Sequence, residues 1–362
     1  MKLRLLLLSL MLLFSGTAFA EEERAEGFMS IVDKAGKVIH QTAHLLTVGD
    51  EFIDENNKRW RLEAISADKA KASLVEEVKL PAAVFPSNLS GYSGGTDAHP
   101  IVIYHTHSDE SYVPTSGTSS KQWGDVYKVG EDLKNALEKN GFKVIWSRNN
   151  HNPHDGLAYK RSRSTALELL KESPAAMIDI HRDAVPLEAY RTEIKGDPAA
   201  KVMIVVGKQN QNQAANLEFA KIIKANADAR HKGLVKGILF AHGSYNQDLG
   251  PRTILLEFGT YENSLQAAQR SAEEWAAVIS AAVYGQSGGA TPQQARRQSA
   301  GQNRGSLRSI LWLLAIAAVG GLVYLWLSSG SWSRAVSRVR NVGTEFSSAF
   351  FSRKDPPDDK KK

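Results

Sequence analysis

"IVIYHTHSDESY", residues 101–112, begins as an apolar run and continues into histidines and acids. Four apolar residues run straight into His105, Thr106, His107, Ser108, Asp109 and Glu110. A short apolar run of this kind reads as a buried strand. In open α/β sheets, functional residues gather where strands end. A strand that ends in two histidines and two acids is therefore either a polar edge or a metal site. Period-two alternation places His105 and His107 on one face if the strand extends that far, so it does not choose between them. Glu110 follows after a three-residue step into the loop. Histidine, glutamate and histidine, with one position left for water, form the donor pattern of a catalytic zinc site.

Working outward, short apolar runs alternate with helical patterns. In "GDVYKVGEDLKNALEKNG" (124–141), Val126, Val129, Leu133 and Leu137 fall at helical spacing and Gly141 supplies a stop. "FKVIWSR" (142–148) is the next strand, and "RSRSTALELLKESP" (161–174) a helix closed by Pro174. "AAMIDIHRD" (175–183) and "AKVMIVVG" (200–207) read as strands, and "NQAANLEFAKIIKANADAR" (212–230) as a helix. "TILLEFGTYEN" (253–263) is the last strand, and "SLQAAQRSAEEWAAVISAAVYG" (264–285) a closing helix. This alternation predicts an α/β fold for residues 100–285, with a mostly parallel sheet flanked by helices.

Residues 21–83 read as a small β-rich module, because "KAGK", "VGDE" and "DENNK" break its β-branched and aromatic runs. His40 and His44, within it, read as exposed strand histidines. Residues 84–99 are rich in Ser, Gly and Pro and read as a linker.

Both ends carry membrane signals. Lys2 and Arg4, the apolar run Leu5–Phe14 and Ala18-Phe19-Ala20 make residues 1–20 a signal peptide, with Glu21 as the mature start. "ILWLLAIAAVGGLVYLWL" (310–327) holds no charge and is long enough to span a bilayer. It defines a transmembrane helix over 309–330, after a flexible spacer at 286–308 and before a basic cytoplasmic tail at 331–362. The expected placement is single-pass in the cell membrane, with residues 21–305 on the extracytoplasmic side. The net charge of +6 resides in the leader, spacer and tail, which favour anionic lipid. The globular part is slightly acidic, so nucleic acid is not an expected partner. The absence of cysteine excludes a thiol nucleophile and thiolate zinc ligands.

Two further strand ends carry chemistry. In "MIDIHRDA" (177–184), alternation puts Asp179, His181 and Asp183 on one face. There an acid can orient a metal-bound histidine. Glu257 lies inside the apolar "TILLEFG". A buried carboxylate is either paired, here with Arg252 or Arg182, or functional as a proton carrier. His99, His151, His154, His231 and His242 lie in turns and polar loops and read as solvated.

"YHTHSDESY", "VGEDLKNALEKNGFKV", "MIDIHRDA" and "ILLEFGTYENS" together resemble the stage II sporulation protein P family of cell-wall amidases. "TAHLLTVGDEFIDENNKRWRL" (42–62) is similar to that family's leading module, and the likeness runs from Gly27 to Tyr284. The resemblance implies a zinc-dependent N-acetylmuramoyl-L-alanine amidase acting on peptidoglycan. It places His107, rather than His105, and His181 as zinc ligands and Glu257 as the catalytic carboxylate. It favours Glu110 as the acidic ligand, with Asp125 and Glu131 as alternatives. His105 is then a neighbour of the site or a third histidine ligand, and Asp179 or Asp183 orients His181. Arg182 is expected to bind a substrate carboxylate or oxyanion. A lytic transglycosylase partner in engulfment is also implied. The chain departs from the family in carrying its membrane span at the C-terminus. Two other readings share these residues: an endopeptidase acting on stem-peptide crosslinks, and a non-catalytic wall-binding scaffold.

Overall fold

The computed structural model describes residues 23, 24, 26–84 and 99–285. The expected leader, spacer, membrane span and tail, and most of the 84–99 linker, lie outside the described residues. Among the described residues, no helix is long and apolar enough to cross a membrane.

The strands are β1 (Met29–Val32), β2 (Val38–Thr42), β3 (Glu51–Asp54), β4 (Lys58–Ser66), β5 (Lys69–Glu77), β6 (Ile101–Tyr104), β7 (Val144–Trp146), β8 (Ala176–Asp183), β9 (Arg191–Ile194), β10 (Asp197–Ala200), β11 (Val202–Gly207), β12 (Val235–Ala241) and β13 (Thr253–Thr260). The long helices are α1 (Val126–Lys139), α2 (Ala158–Lys171), α3 (Gln213–Arg230) and α4 (Leu265–Tyr284). An 11-stranded sheet runs in the order β2-β1-β5-β4-β3-β12-β11-β13-β8-β6-β7. Strands β9 and β10 form a separate hairpin.

The parallel expectation holds for β7, β6, β8 and β13, and again for β11 and β12. Between these groups β11 and β13 pair antiparallel, and the sheet as a whole is mixed. The N-terminal strands continue the same sheet: β3 pairs antiparallel with β12, joining Ile53 to Ile238 and Phe52 to Leu239. Strand β12, "VKGILFA", is not legible in the sequence. Its Lys and Gly interrupt the apolar run that would have marked it.

Strands β6, β8, β11 and β13 are buried along their whole length. This is the pattern of strands covered on both faces. One face carries Ile101, Ile103, Ile178, Ile180, Ile254 and Leu256 into a core beneath α1, α3 and α4, centred on Trp275. On the other face lie Met203, Val205, Leu239 and Leu255, packed with Phe52, Tyr159 and Tyr245. In β8 and β13 this second face also carries Asp179, His181, Asp183 and Glu257, because side chains two apart share a face. Tyr159 of helix α2 and Met29, Ile31 and Leu62 of the N-terminal strands join the core on this face, so the site lies on the side of the sheet that they share.

Candidate metal centre

Strand β6 ends at Tyr104, so the alternation that put both histidines on one face stops short of them. His105 turns away. Trp146 Nε1 donates to its Nε2 at 2.9 Å, and its Nδ1 donates to the Ile180 carbonyl at 3.3 Å. Both nitrogens are committed, which leaves no lone pair for a metal. Burial, against the opposing field of Asp179, lowers its pKa to about 4 and keeps the ring neutral. Gly130 on α1 makes room for it, since a Cβ there would lie 2.7 Å from the imidazole. His105 is thus a packing histidine, not a third ligand.

His107 faces the cavity. Its Nδ1 lies 3.4 Å from Glu110 Oε1, and His181 Nδ1 lies 3.6 Å from the same oxygen. Register places His181 on β8 opposite Glu257 on β13. Gly259, at φ +79°, sits where the register shifts before pairing with β8 resumes at Thr260 and Asp183, and a Cβ there would meet Asn263 Oδ1 at 2.5 Å. The other oxygen of Glu110, Oε2, accepts the Arg182 backbone N–H at 2.9 Å. Asp179 Oδ1 stands 3.1 Å from His181 Nε2 and accepts the Thr106 N–H. A carboxylate against the far nitrogen of a histidine fixes its ring and raises its basicity. Asp183 does not orient His181; it accepts the N–H groups of Ala43 and Ala184 and the hydroxyl of Tyr190. Of the alternative acids, Asp125 is tied to Ser116 and Lys121. Glu131 is exposed on α1.

A divalent cation fits this donor set. His107 Nδ1, Glu110 Oε1 and His181 Nδ1 are buried and have no hydrogen-bond partner. Such orphaned groups are costly unless something occupies the space between them. With Glu23 they bring four candidate ligand atoms within 4.8 Å of one another. The electrostatics agree. Burial opposes charge on both histidines, yet Glu23 raises His107, and Asp179 and Glu110 raise His181. Glu110 is held well below the usual carboxylate range by His181 and Arg182, against its burial.

The second part of the site comes from the N-terminal module, where His44 follows β2. His44 Nε2 donates to Glu257 Oε1 at 2.9 Å, and both side chains are 1% exposed. Burial pushes the Glu257 carboxyl up to about 7, with His44 opposing. Its partner is therefore neither Arg252 nor Arg182. His40 and His44, expected as exposed, are both buried. His40 stacks on Phe52 with ring centres 3.9 Å apart. His44 sits in "TAHLL", and those apolar neighbours were the available sign that it is not solvated.

Two further residues of the site carry no clear signal in the sequence. His154, expected as solvated, stacks on His107 at 3.9 Å and approaches Asp109 at 3.1 Å. Its burial opposes charge, but Asp109 and Glu23 outweigh that and push its pKa up to about 10. Glu23 reaches in from ahead of β1, with Oε1 3.3 Å from His107 Nδ1. His151, also expected in solvent, is buried against the His105 carbonyl and Thr165. A cavity of about 370 Å³ opens over the site, walled by Glu23, His107, His154, Tyr159, Arg182 and Tyr261.

A relative, stage II sporulation protein P of Bacillus subtilis (strain 168), is 33% identical over 205 residues, covering 51% of each chain. The chain thus spans about half the length of that curated relative. Among solved structures, an N-acetylmuramyl-L-alanine amidase of Mycobacterium smegmatis is 18% identical, covers 52% of this chain and 96% of its own, and gives a TM-score of 0.35. An N-acetylmuramoyl-L-alanine amidase of Clostridium difficile 630 is 16% identical, covers 52% of this chain and 95% of its own, and gives 0.33. A sequence model described as stage II sporulation protein P matches residues 34–280, a span that holds every residue of the site except Glu23. The chain belongs to the stage II sporulation protein P family.

Proposed function

We propose that this protein is a zinc-dependent peptidoglycan hydrolase that cleaves the amide between N-acetylmuramic acid and L-alanine during sporulation-type wall remodelling. The observation that carries the reading is the convergence of three buried, partnerless donor atoms beside a buried carboxyl. Family membership supports the sporulation setting and the wall as substrate.

His107, Glu110 and His181 would hold the ion, with Asp179 fixing the His181 ring. When bound, such an ion supplies Lewis acidity that polarises a carbonyl and acidifies water. Glu257 takes a proton from the attacking water through Oε2, the oxygen that His44 leaves free. It returns that proton to the departing nitrogen as the C–N bond breaks, leaving a carboxylate on the muramic acid and a free amine on L-alanine. A carboxyl that titrates near neutral pH suits both halves of this transfer. Arg182, which lines the cavity, would bind a substrate carboxylate or oxyanion. The leader and the apolar run at 310–327 support a single-pass membrane placement with this site facing the wall.

The test is mass spectrometry of the products released from purified sacculi. Free stem peptides beginning with L-alanine, with peptide-free glycan, are the expected result. Cleaved crosslinks with stems still on the glycan would replace the amidase by an endopeptidase. No release at all would leave the wall-binding scaffold.

A further inference from the structure

The proposed reaction releases a peptide from a sugar, so a glycan strand must lie within about one sugar's reach of the metal donors. The loop 117–124 stands beside the acidic donor. It is pinned to the segment that carries Glu110: the Lys121 N–H donates to the Asp109 carbonyl at 2.9 Å, and the Gly124 N–H to the Ser108 carbonyl at 2.8 Å. A Cβ at Gly124 would collide with the Glu110 carbonyl. Ser119 and Ser120 of this loop line the cavity. The side-chain amides of Asn150 and Asn152 donate to the Gln122 carbonyl at 2.6 and 3.0 Å and tie the loop to a second one.

Between the anchored Gln122 and Gly124 stands Trp123, which is 50% exposed. Its ring leans on Tyr127 with centres 5.4 Å apart, and the Tyr127 hydroxyl donates to the Asn149 carbonyl at 2.9 Å. The indole is thus held in place and left half in water. Leaving so large an apolar surface wet forgoes the stabilisation that burial would give.

The surroundings favour an uncharged partner. Lys121 spends its Nζ on Ser116 and Asp125, at 2.8 and 2.7 Å. The rest of the loop is Gly, Thr, Ser, Gln and Trp. An aromatic face bordered by neutral hydrogen-bonding groups matches a pyranose, whose C–H face is apolar and whose rim carries hydroxyls and amides.

We propose that Trp123 is a stacking platform for the glycan strand and takes the face of an N-acetylhexosamine next to the muramic acid at the metal centre. This rests on the wall-hydrolase reading above. The same loop would serve both halves of the substrate, because its Ser119 carbonyl accepts from the Arg182 guanidinium at 2.9 Å.

The experiment uses the full chain in detergent, with chitohexaose, a peptide-free chain of N-acetylglucosamine, as the probe. Probe affinity is read by calorimetry, and KM and kcat by release of stem peptides from soluble peptidoglycan. In Trp123→Ala, chitohexaose should bind more weakly by roughly ten-fold, as for other contact tryptophans. KM should rise by a similar factor, with the loss falling on KM rather than kcat. Trp123→Phe should recover most of both. Equal probe affinity and KM in Trp123→Ala and the unaltered chain, or no chitohexaose binding by the unaltered chain, would overturn the inference. Failure of the underlying reading shows separately, as an unaltered chain that releases no stem peptides; the affinities for chitohexaose then still decide the platform.

Discussion

The carboxyl ends of β6 and β8 and the N-terminal module deliver charged groups to one cavity by different means. The strand ends present His107 Nδ1, Glu110 Oε1 and His181 Nδ1 as buried atoms without hydrogen-bond partners. The N-terminal module presents His44 already engaged, with its nitrogen on Glu257. One region leaves its polar atoms unpaired, and the other pairs its histidine with a carboxyl. The difference teaches that a buried histidine is read by what its nitrogens face, not by its burial. His105, two residues from His107, has both nitrogens committed and is structural.

The comparison can be broken most sharply at the strand ends. In the His107→Ala, His181→Ala double variant, bound zinc should fall from one per chain to none by elemental analysis. The stabilisation that metal binding gives, about 2.7 kcal/mol at a free concentration of 100 times Kd, should vanish from the melting curve. Zinc retained in that variant would break the comparison outright. Glu257→Gln should keep its metal and lose roughly 10²–10⁴-fold in turnover on sacculi.

His44→Gln sharpens the contrast from the other side. It should reduce turnover by roughly 10–100-fold, as for other groups that orient a functional residue, with zinc affinity unchanged. A loss of zinc in this variant would merge the two regions into one. The smallest effect concerns His40, whose pKa burial lowers well below its ordinary value, helped by the positive fields of Lys236 and His44. Below about pH 6.5 the unfolded chain binds a proton there that the folded chain refuses. Stability should therefore decline as pH falls below that point, measured by urea unfolding, and His40→Phe should flatten that part of the profile.

The legible part of the site was local. His181 and Glu257 stand out because a polar or charged residue in a fully buried strand is expensive, and the apolar neighbours within β8 and β13 are enough to show it. The choice between His105 and His107 was not legible from period two, because β6 ends before either of them. Residues of the N-terminal module were hidden for another reason. His44 meets Glu257 across 213 positions, through the β3–β12 edge that joins the two parts of the sheet. No local pattern encodes such an edge, and the Lys-Gly pair in β12 conceals half of it. His154 lies in "NNHNPHDG", where nothing distinguishes a solvated histidine from one stacked on His107.

The central claim is that this chain holds one catalytic metal ion at the ends of β6 and β8. Anomalous diffraction at the zinc edge, on crystals grown with zinc, tests it most directly. A single buried peak at about 2.0–2.1 Å from His107 Nδ1 and His181 Nδ1, with Glu110 Oε1 completing the set, is expected. A protein that takes up zinc only at surface groups, with no peak between these three residues, would contradict it.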